Sequence, residues 1–408
     1  MTSRIWHLGR LRRSEDREYL RAGLCDALLI NANQLENSPE GTVGYLEVTG
    51  LPYMVDPMLW RLQVPTWWQT ARGDVKRNYR RLAARYAEGT NVRLAEVPLL
   101  ESVSTDVEWR RLAKNIVSYQ LERLCEQPDL FKPAGTRPQA IVAPTLVPSS
   151  TEEDRVNRLL VEAAAEAAAE SIFAMFILPR ERLQAPTEVA RALREVAADG
   201  VAGYFIWTPG VSEHLLLTDQ DVFSALLSVI RALADQGVPI VHVHGSYTTA
   251  ALHDVGLAGV VHHLAWVDRG EPVEELRGAA RSCRTYVPGV RHTLRFGEAE
   301  QLGRSLNEEE YLERYCDCRF CEGVLANSQQ PLDLLLEDQE IEGQRRRTPT
   351  SRATAANMWH YVHARRQEVE AFSQSRALDV VGRDIGRAAT LVGSAPALER
   401  LASRLRSA

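Results

Sequence analysis

Ala140-Ile141-Val142-Ala143-Pro144-Thr145 is an apolar run that opens into Ser150-Thr151-Glu152-Glu153 and then an Ala- and Glu-rich stretch ending near Glu170. The first reads as a buried strand. The second reads as a capping box, in which Ser150 and Glu153 satisfy the free N–H groups of a helix start. The alternation then repeats down the chain. Ile172 to Leu178 precedes a helical stretch at 186–198, and Val201 to Trp207 precedes one at 219–236. Pro239 to His244 is followed by Tyr247 to Asp254, and Val260 to Trp266 by Glu271 to Ala280; Thr285-Tyr286-Val287 reads as a last strand.

Two earlier runs, Ala27-Leu28-Leu29-Ile30 and Leu51-Pro52-Tyr53-Met54-Val55, extend the series backwards and bring the count to eight. Eight strands, each followed by a helix or an insertion, favour an α/β fold of the TIM type, a (β/α)8 barrel, over an open doubly wound sheet. The Gly-x-Gly-x-x-Gly turn of the open sheet is absent after Ile30. Residues 60–135 break the rhythm as a helical insertion. Its Arg72, Lys76, Arg77, Arg80, Arg81 and Arg85 form a basic face, read as a solvated helix surface or a phosphate contact. Trp67-Trp68 reads as buried packing or a stacking surface. The barrel is expected over 1–300, a second subdomain over 301–375, and an amphipathic helical tail over 376–408, packed on the barrel or on a second subunit.

Bulk properties work by exclusion. The chain has 408 residues, 45% hydrophobic and 25% charged, with a net charge of −6 and a pI near 6.0. It buries a substantial core and carries no global basic field, so any phosphate-binding face must be local. Neither a signal-like apolar run at Met1 to His7 nor an apolar stretch of membrane-spanning length occurs, so a cytoplasmic protein with reduced thiols and no membrane association is expected.

A barrel works at the C-terminal ends of its strands. Those positions hold Asn31, Asn33, Asp56, Thr145, Trp207, Thr208, His242, His244, His262, His263, Trp266 and Asp268. Asp56 and Asp268 are the carboxylates, the pair that nucleophilic and acid/base chemistry at a glycosidic carbon requires; each is also in a sequence suited to a turn. Strand alternation puts His242 and His244 on one face, with His242, His244, His263 and Trp207 as candidate ligand contacts. Gly245, with no side chain, is read as letting a flat substrate approach the backbone.

Tyr315-Cys316-Asp317-Cys318-Arg319-Phe320-Cys321 packs three of the chain's six cysteines together, with His360 and His363 downstream. Thiols this dense do not pair off as disulfides and suit a tetrahedral Zn²⁺, which gives a Cys3His site of Cys316, Cys318, Cys321 and a histidine. Cys25, Cys125 and Cys283 are scattered beside apolar segments and read as small buried hydrophobes. Such a closed site holds a subdomain together and does not activate water.

Cys316-x-Cys318-x2-Cys321 after a barrel, followed by the helical segment Trp359-His360-Tyr361-Val362-His363, resembles the zinc subdomain of the tRNA-guanine transglycosylases. The resemblance implies that His360 is the fourth ligand, with His363 as the alternative, and that zinc is structural. It implies exchange of guanine for a 7-deazaguanine-type base in a nucleic acid, tRNA or DNA. Asp56 stands at the early aspartate and Asp268 at the late one, with acid/base and nucleophilic roles. It also implies a homodimer formed through the zinc region. The Ser-Gly-Gly-Phe-Gln-type motif is missing, since Asp56 is followed by Pro57-Met58-Leu59-Trp60, and Val261 to Asp268 does not reproduce the nucleophile motif. The chain therefore resembles a divergent branch, similar to members that insert deazaguanines into DNA or sit in phage-defence clusters. A second reading is a catalytically altered barrel that binds a deazaguanine-type ligand or a partner protein. Arg345-Arg346-Arg347, with Arg352, Arg365 and Arg366, is the patch expected to face phosphate beside the zinc site.

Overall fold

The computed structural model describes residues 6–10, 22–70, 72–123, 137–196, 200–263, 284–340, 347–391 and 395–408. Its centre is an eight-stranded parallel sheet: β1 (Trp6–Arg10), β2 (Ala27–Asn31), β3 (Tyr53–Asp56), β4 (Ile141–Val142), β5 (Ile172–Ile177), β6 (Val201–Trp207), β7 (Ile240–Val243) and β8 (Leu257–His263). The order is β3-β2-β1-β8-β7-β6-β5-β4. Gln139, just before β4, donates through its N–H to the carbonyl oxygen of Tyr53 in β3 at 2.8 Å.

Seven of these strands coincide with apolar runs in the sequence, but the eighth does not. Thr285-Tyr286-Val287 belongs to β9 (Arg284–Val287), which pairs antiparallel with β10 (His292–Arg295) outside the main sheet. Its place is taken by β1, between β2 and β8. Trp-His-Leu-Gly-Arg has no apolar run; Leu8 is fully buried while Trp6 is 37% exposed. A neighbour permits the docking of β1: a Cβ at Gly259 would lie 2.9 Å from the Trp6 Cβ and 3.0 Å from its carbonyl oxygen.

Alternation along the strands divides the core in two. Leu8, Leu29, Met54, Val142, Met175, Phe205, Val241 and Val261 share one cluster with Trp60 and Trp207. The opposite faces of β5 to β8 pack on the helices Thr151–Ala167, Pro186–Val196 and Gln220–Ala234, and on the tail helices Ala377–Ala388 and Ala395–Ser407. The tail packs through Leu398 and Leu401 as its apolar spacing implies, and Arg404 Nη1 donates to Leu216 O at 2.8 Å. The capping box at Ser150 forms, with Glu153 N donating to Ser150 Oγ at 3.3 Å and Ser150 N to Glu153 Oε2 at 3.0 Å.

The insertion after β3 is helical, with Arg77–Tyr86 and Asp106–Glu122 as its main helices. β9, within the span expected for the barrel, packs against the long helix Ser351–Gln374. No described helix is long and apolar enough to cross a membrane.

Candidate functional site

The cysteine cluster forms where local sequence and a distant helix meet. Cys316 follows the Tyr311–Tyr315 turn, Cys318 caps the helix Arg319–Ala326, and Cys321 lies in that helix's first turn. The helix Ser351–Gln374 brings in His360. All four residues are buried, and their donor atoms lie within 4.8 Å of one another. The His360 Nδ1 stands 3.7 Å from the Cys316 Sγ, 3.4 Å from that of Cys318 and 3.3 Å from that of Cys321. A tetrahedral ion with metal–sulfur bonds of about 2.3 Å and metal–nitrogen bonds of about 2.0 Å separates S and N by roughly 3.5 Å. The group is therefore fit to hold a metal ion and is compatible with zinc. His363 is turned away and stacks on Trp359, with ring centroids 5.7 Å apart.

The surroundings hold the cluster in place. His360 Nε2 lies 2.6 Å from the carbonyl oxygen of Tyr286, which leaves Nδ1 for the thiols. Burial raises the Cys316 thiol well above its usual range. Cys318 goes the other way: burial opposes its ionisation, but hydrogen bonds with Cys316 and Cys321 and the neighbouring His360 outweigh it.

Behind Tyr286 lies a buried ionic network that no local pattern announces. Glu368 accepts from Tyr286 Oη at 2.6 Å, Arg365 Nη1 at 2.8 Å and Arg291 Nη1 at 2.5 Å. Arg291 reaches Asp384 at 2.6 Å through Nη2, and Asp384 also accepts from the Tyr247 hydroxyl. Arg291 lies over the Tyr247 ring at 4.4 Å and Arg365 over that of Tyr286 at 4.5 Å. Two guanidiniums and two carboxylates balance, and they connect the cysteine region to the segment that follows β7.

At the C-terminal end of the sheet, Asp56 is buried beside Asn31, and its Oδ1 accepts from Met58 N at 2.9 Å. That turn needs a left-handed Met58, at φ 53°. Tyr86 braces it by donating to Pro57 O at 2.8 Å. Trp60 follows and lies 4.7 Å from the Trp207 ring and 5.8 Å from that of Trp67. The Trp207 ring is in turn 5.9 Å from His244. The Trp60 indole N–H is buried without an acceptor among the described residues.

Other expected contacts are placed differently. His242 lies between Val241 and Val243, both in the inner cluster, so alternation turns it to the helix side. There its Nε2 is 3.3 Å from Thr208 Oγ1, and burial lowers its pKa to about 4. His244 adopts a left-handed φ of 60°, so it leaves the strand alternation and does not share a face with His242. Gly245 serves packing, because a Cβ there would sit 2.7 Å from the Cβ of Val260. His263 is the last described residue of β8, paired in register with Arg10. Asp268 lies outside the described residues, as do Cys125 and Cys283, whereas Cys25 is buried as expected.

The expected basic patch falls only partly within the described residues. Arg345 and Arg346 lie outside the described residues, and Arg347 lies in β12 (Arg347–Pro349), paired with β11 (Asp338–Glu340). Arg365 is buried in the ionic network, and Arg366 is paired with Asp26 at 2.9 Å and Glu370 at 2.7 Å. Arg352 is exposed. The residues that sequence reasoning missed, Trp60, Arg291, Glu368 and Asp384, meet only through long-range contacts.

No protein-family model matches the chain, and no curated protein matches it. Among solved structures it is similar to a psychrophilic glycoside hydrolase family 10 endo-beta-1,4-xylanase, at 10% identity over 64% of this chain and 86% of that one, with a TM-score of 0.35. It is similar to a type I 3-dehydroquinate dehydratase from Clostridium difficile at 10% identity, over 66% of this chain and 87% of that one, with a TM-score of 0.34. It is also similar to an HpcH/HpaI aldolase from Desulfitobacterium hafniense DCB-2 at 13% identity, over 64% and 86%, with a TM-score of 0.30. Likeness at this level carries no argument about activity.

Proposed function

We propose that the chain is a zinc-clamped (β/α)8 barrel that exchanges guanine for a 7-deazaguanine-type base in a nucleic acid. The observation that carries this reading is Asp56: a buried carboxylate at a strand end, held by the Met58 N–H and turned by alternation to the same face as Met54, whose cluster contains Trp60 and Trp207. A flat heterocycle stacks on such a wall, and a buried carboxylate accepts the N–H groups of a guanine edge. The orphan Trp60 N–H supplies a donor for the base's carbonyl. The hydrogen bond between Gln139 and Tyr53 supports the closed barrel, and the Cys3His geometry supports zinc as its structural ion.

In this scheme the Asp268 carboxylate attacks the anomeric carbon as the bond to guanine breaks, forming a glycosyl ester. Asp56 delivers the proton that the departing base takes up. The incoming base then attacks the same carbon, gives its proton to Asp56, and releases Asp268 as a carboxylate. The Cys3His ion takes no part in these steps.

The test is incorporation of labelled guanine into tRNA and into duplex DNA. The metal-replete protein is expected to exchange into one of them, and Asp56→Ala and Asp268→Ala to lose exchange while still folding. Absence of exchange into either polymer rejects the enzyme. Guanine or deazaguanine binding without exchange then favours the second reading, a ligand-binding barrel.

A further inference from the structure

We infer that the nucleic acid docks on the basic face of the helix Arg77–Tyr86, through phosphate contacts made by Arg77, Arg80, Arg81 and Arg85. The inference rests on the proposed polymer substrate and adds where that polymer lies. Between Asp74 and Glu88 the chain contains no acidic residue, while Lys76 and these four arginines all fall in that span. The helix buries Tyr79, Leu82, Ala83 and Tyr86 and exposes all four arginines. Their spacing sets them along one ridge roughly 12 Å long, enough to meet about three successive phosphates of one strand.

What distinguishes this ridge is the clustering of its arginines on one helix face. Several exposed arginines elsewhere are matched by carboxylates, Arg155 by Asp106 and Glu152, Arg158 by Glu162 and Arg110 by Glu166. Arg77, Arg80 and Arg81 have no carboxylate within ion-pair distance among the described residues, and the contact Arg81 does make, at 3.4 Å, is to the Glu36 carbonyl oxygen. At its C-terminal end the ridge runs into a cavity of about 230 Å³ lined by Arg85, Arg111, Arg123 and Ser118, together with Glu88 and Glu122. A protein of net charge −6 that concentrates exposed guanidiniums on one helix face presents a local attraction for a polyanion. The apolar side of the helix is used in the core, so nothing remains to insert into a lipid surface.

The position suits the chemistry as well. Tyr86, on the buried side of the same helix, donates to Pro57 O beside Asp56, so the ridge backs directly onto the turn that holds the carboxylate.

The test is fluorescence anisotropy of labelled single-stranded and duplex oligonucleotides against the full-length protein, across salt from about 50 to 200 mM. The triple variant Arg77→Ala, Arg80→Ala, Arg81→Ala should bind on the order of tenfold or more weakly, and its log–log salt slope should flatten by about 2 to 3. Because all three side chains are exposed, its unfolding temperature should stay that of the parent. Arg93→Ala, at an exposed arginine already paired with Glu96, should bind as the parent does. Parent-like binding and salt slope in the triple variant would overturn the docking face while leaving base exchange intact. Failure of the parent to bind any oligonucleotide would instead remove the polymer reading itself. Arginine-dependent capture by phosphatidylserine vesicles without oligonucleotide binding would overturn the inference in favour of a membrane surface.

Discussion

The cysteine cluster and the mouth of the sheet are both buried polar sites, yet they are specified in opposite ways. Three of the four donors in the cluster come from six consecutive residues, and the fourth is His360, whose ring is oriented by the carbonyl oxygen of Tyr286. The mouth draws on the ends of separate strands, where one residue of register decides whether a side chain faces inward or toward the helices. The cluster is thus set by chain-local chemistry, and the mouth by the geometry of the whole sheet. A substitution in the first should act through stability and metal content, and one in the second through ligand handling.

The largest expected effect follows from removing a thiolate. Metal binding by small Cys/His sites contributes on the order of 10 kcal/mol to folding. Cys318→Ser should lose one equivalent of zinc by elemental analysis and lower the unfolding temperature, whereas His363→Ala should keep the full equivalent. Retention of metal by Cys318→Ser, or its loss from His363→Ala, would reassign the ligand set.

Next comes the ionic network, which joins the two regions. Glu368→Ala leaves Arg291 and Arg365 buried without that carboxylate, and breaking such pairs costs about 3 to 5 kcal/mol. Replacing a residue this close to His360 should destabilise both halves together, seen as a single shifted transition in denaturant. Two separate transitions would show that the cysteine region and the sheet fold independently.

Asp56→Asn sharpens the contrast from the other side. Its Oδ1 still accepts from Met58 N, so folding and metal content should match the parent. Loss of a positioned acid/base lowers exchange by about 10² to 10⁴. A melting temperature that fell in step with activity would make Asp56 a structural residue only.

What the sequence made legible divides along the same line. The Cys316-x-Cys318-x2-Cys321 spacing, the strand–helix rhythm from Ala140 onward and the two earlier apolar runs are local signals, and they correspond to the observed cluster and to seven of the eight strands. β1 was hidden because its burial comes from two neighbouring strands and from Gly259, not from its own composition. Thr285 to Val287 has a strand's composition, but β10 gives it an antiparallel partner that periodicity does not reveal. The histidines were misread for a third reason. Period-two alternation holds through β7, but His244 at φ 60° ends it, and the absolute inward face depends on which neighbours close over the strand. Arg365 looked like surface charge until Glu368 and the Tyr286 ring enclosed it.

The smallest effect tests that reassignment of His242. Its pKa of about 4 lies below the ordinary 6.5, so the unfolded chain takes up a proton at a pH where the folded one does not. Stability from the neutral ring is therefore complete above pH 6.5 and is lost as the pH falls toward 4. At pH 5.5 the loss is on the order of 1 kcal/mol. His242→Gln keeps a group able to hydrogen bond with Thr208 and removes the titration. Denaturant midpoints for parent and variant should converge between pH 7 and 5.5 relative to their separation at pH 7, with base exchange at neutral pH unchanged. A variant that lost exchange while its pH–stability slope stayed that of the parent would return His242 to the mouth and undo the inward–outward assignment of β7.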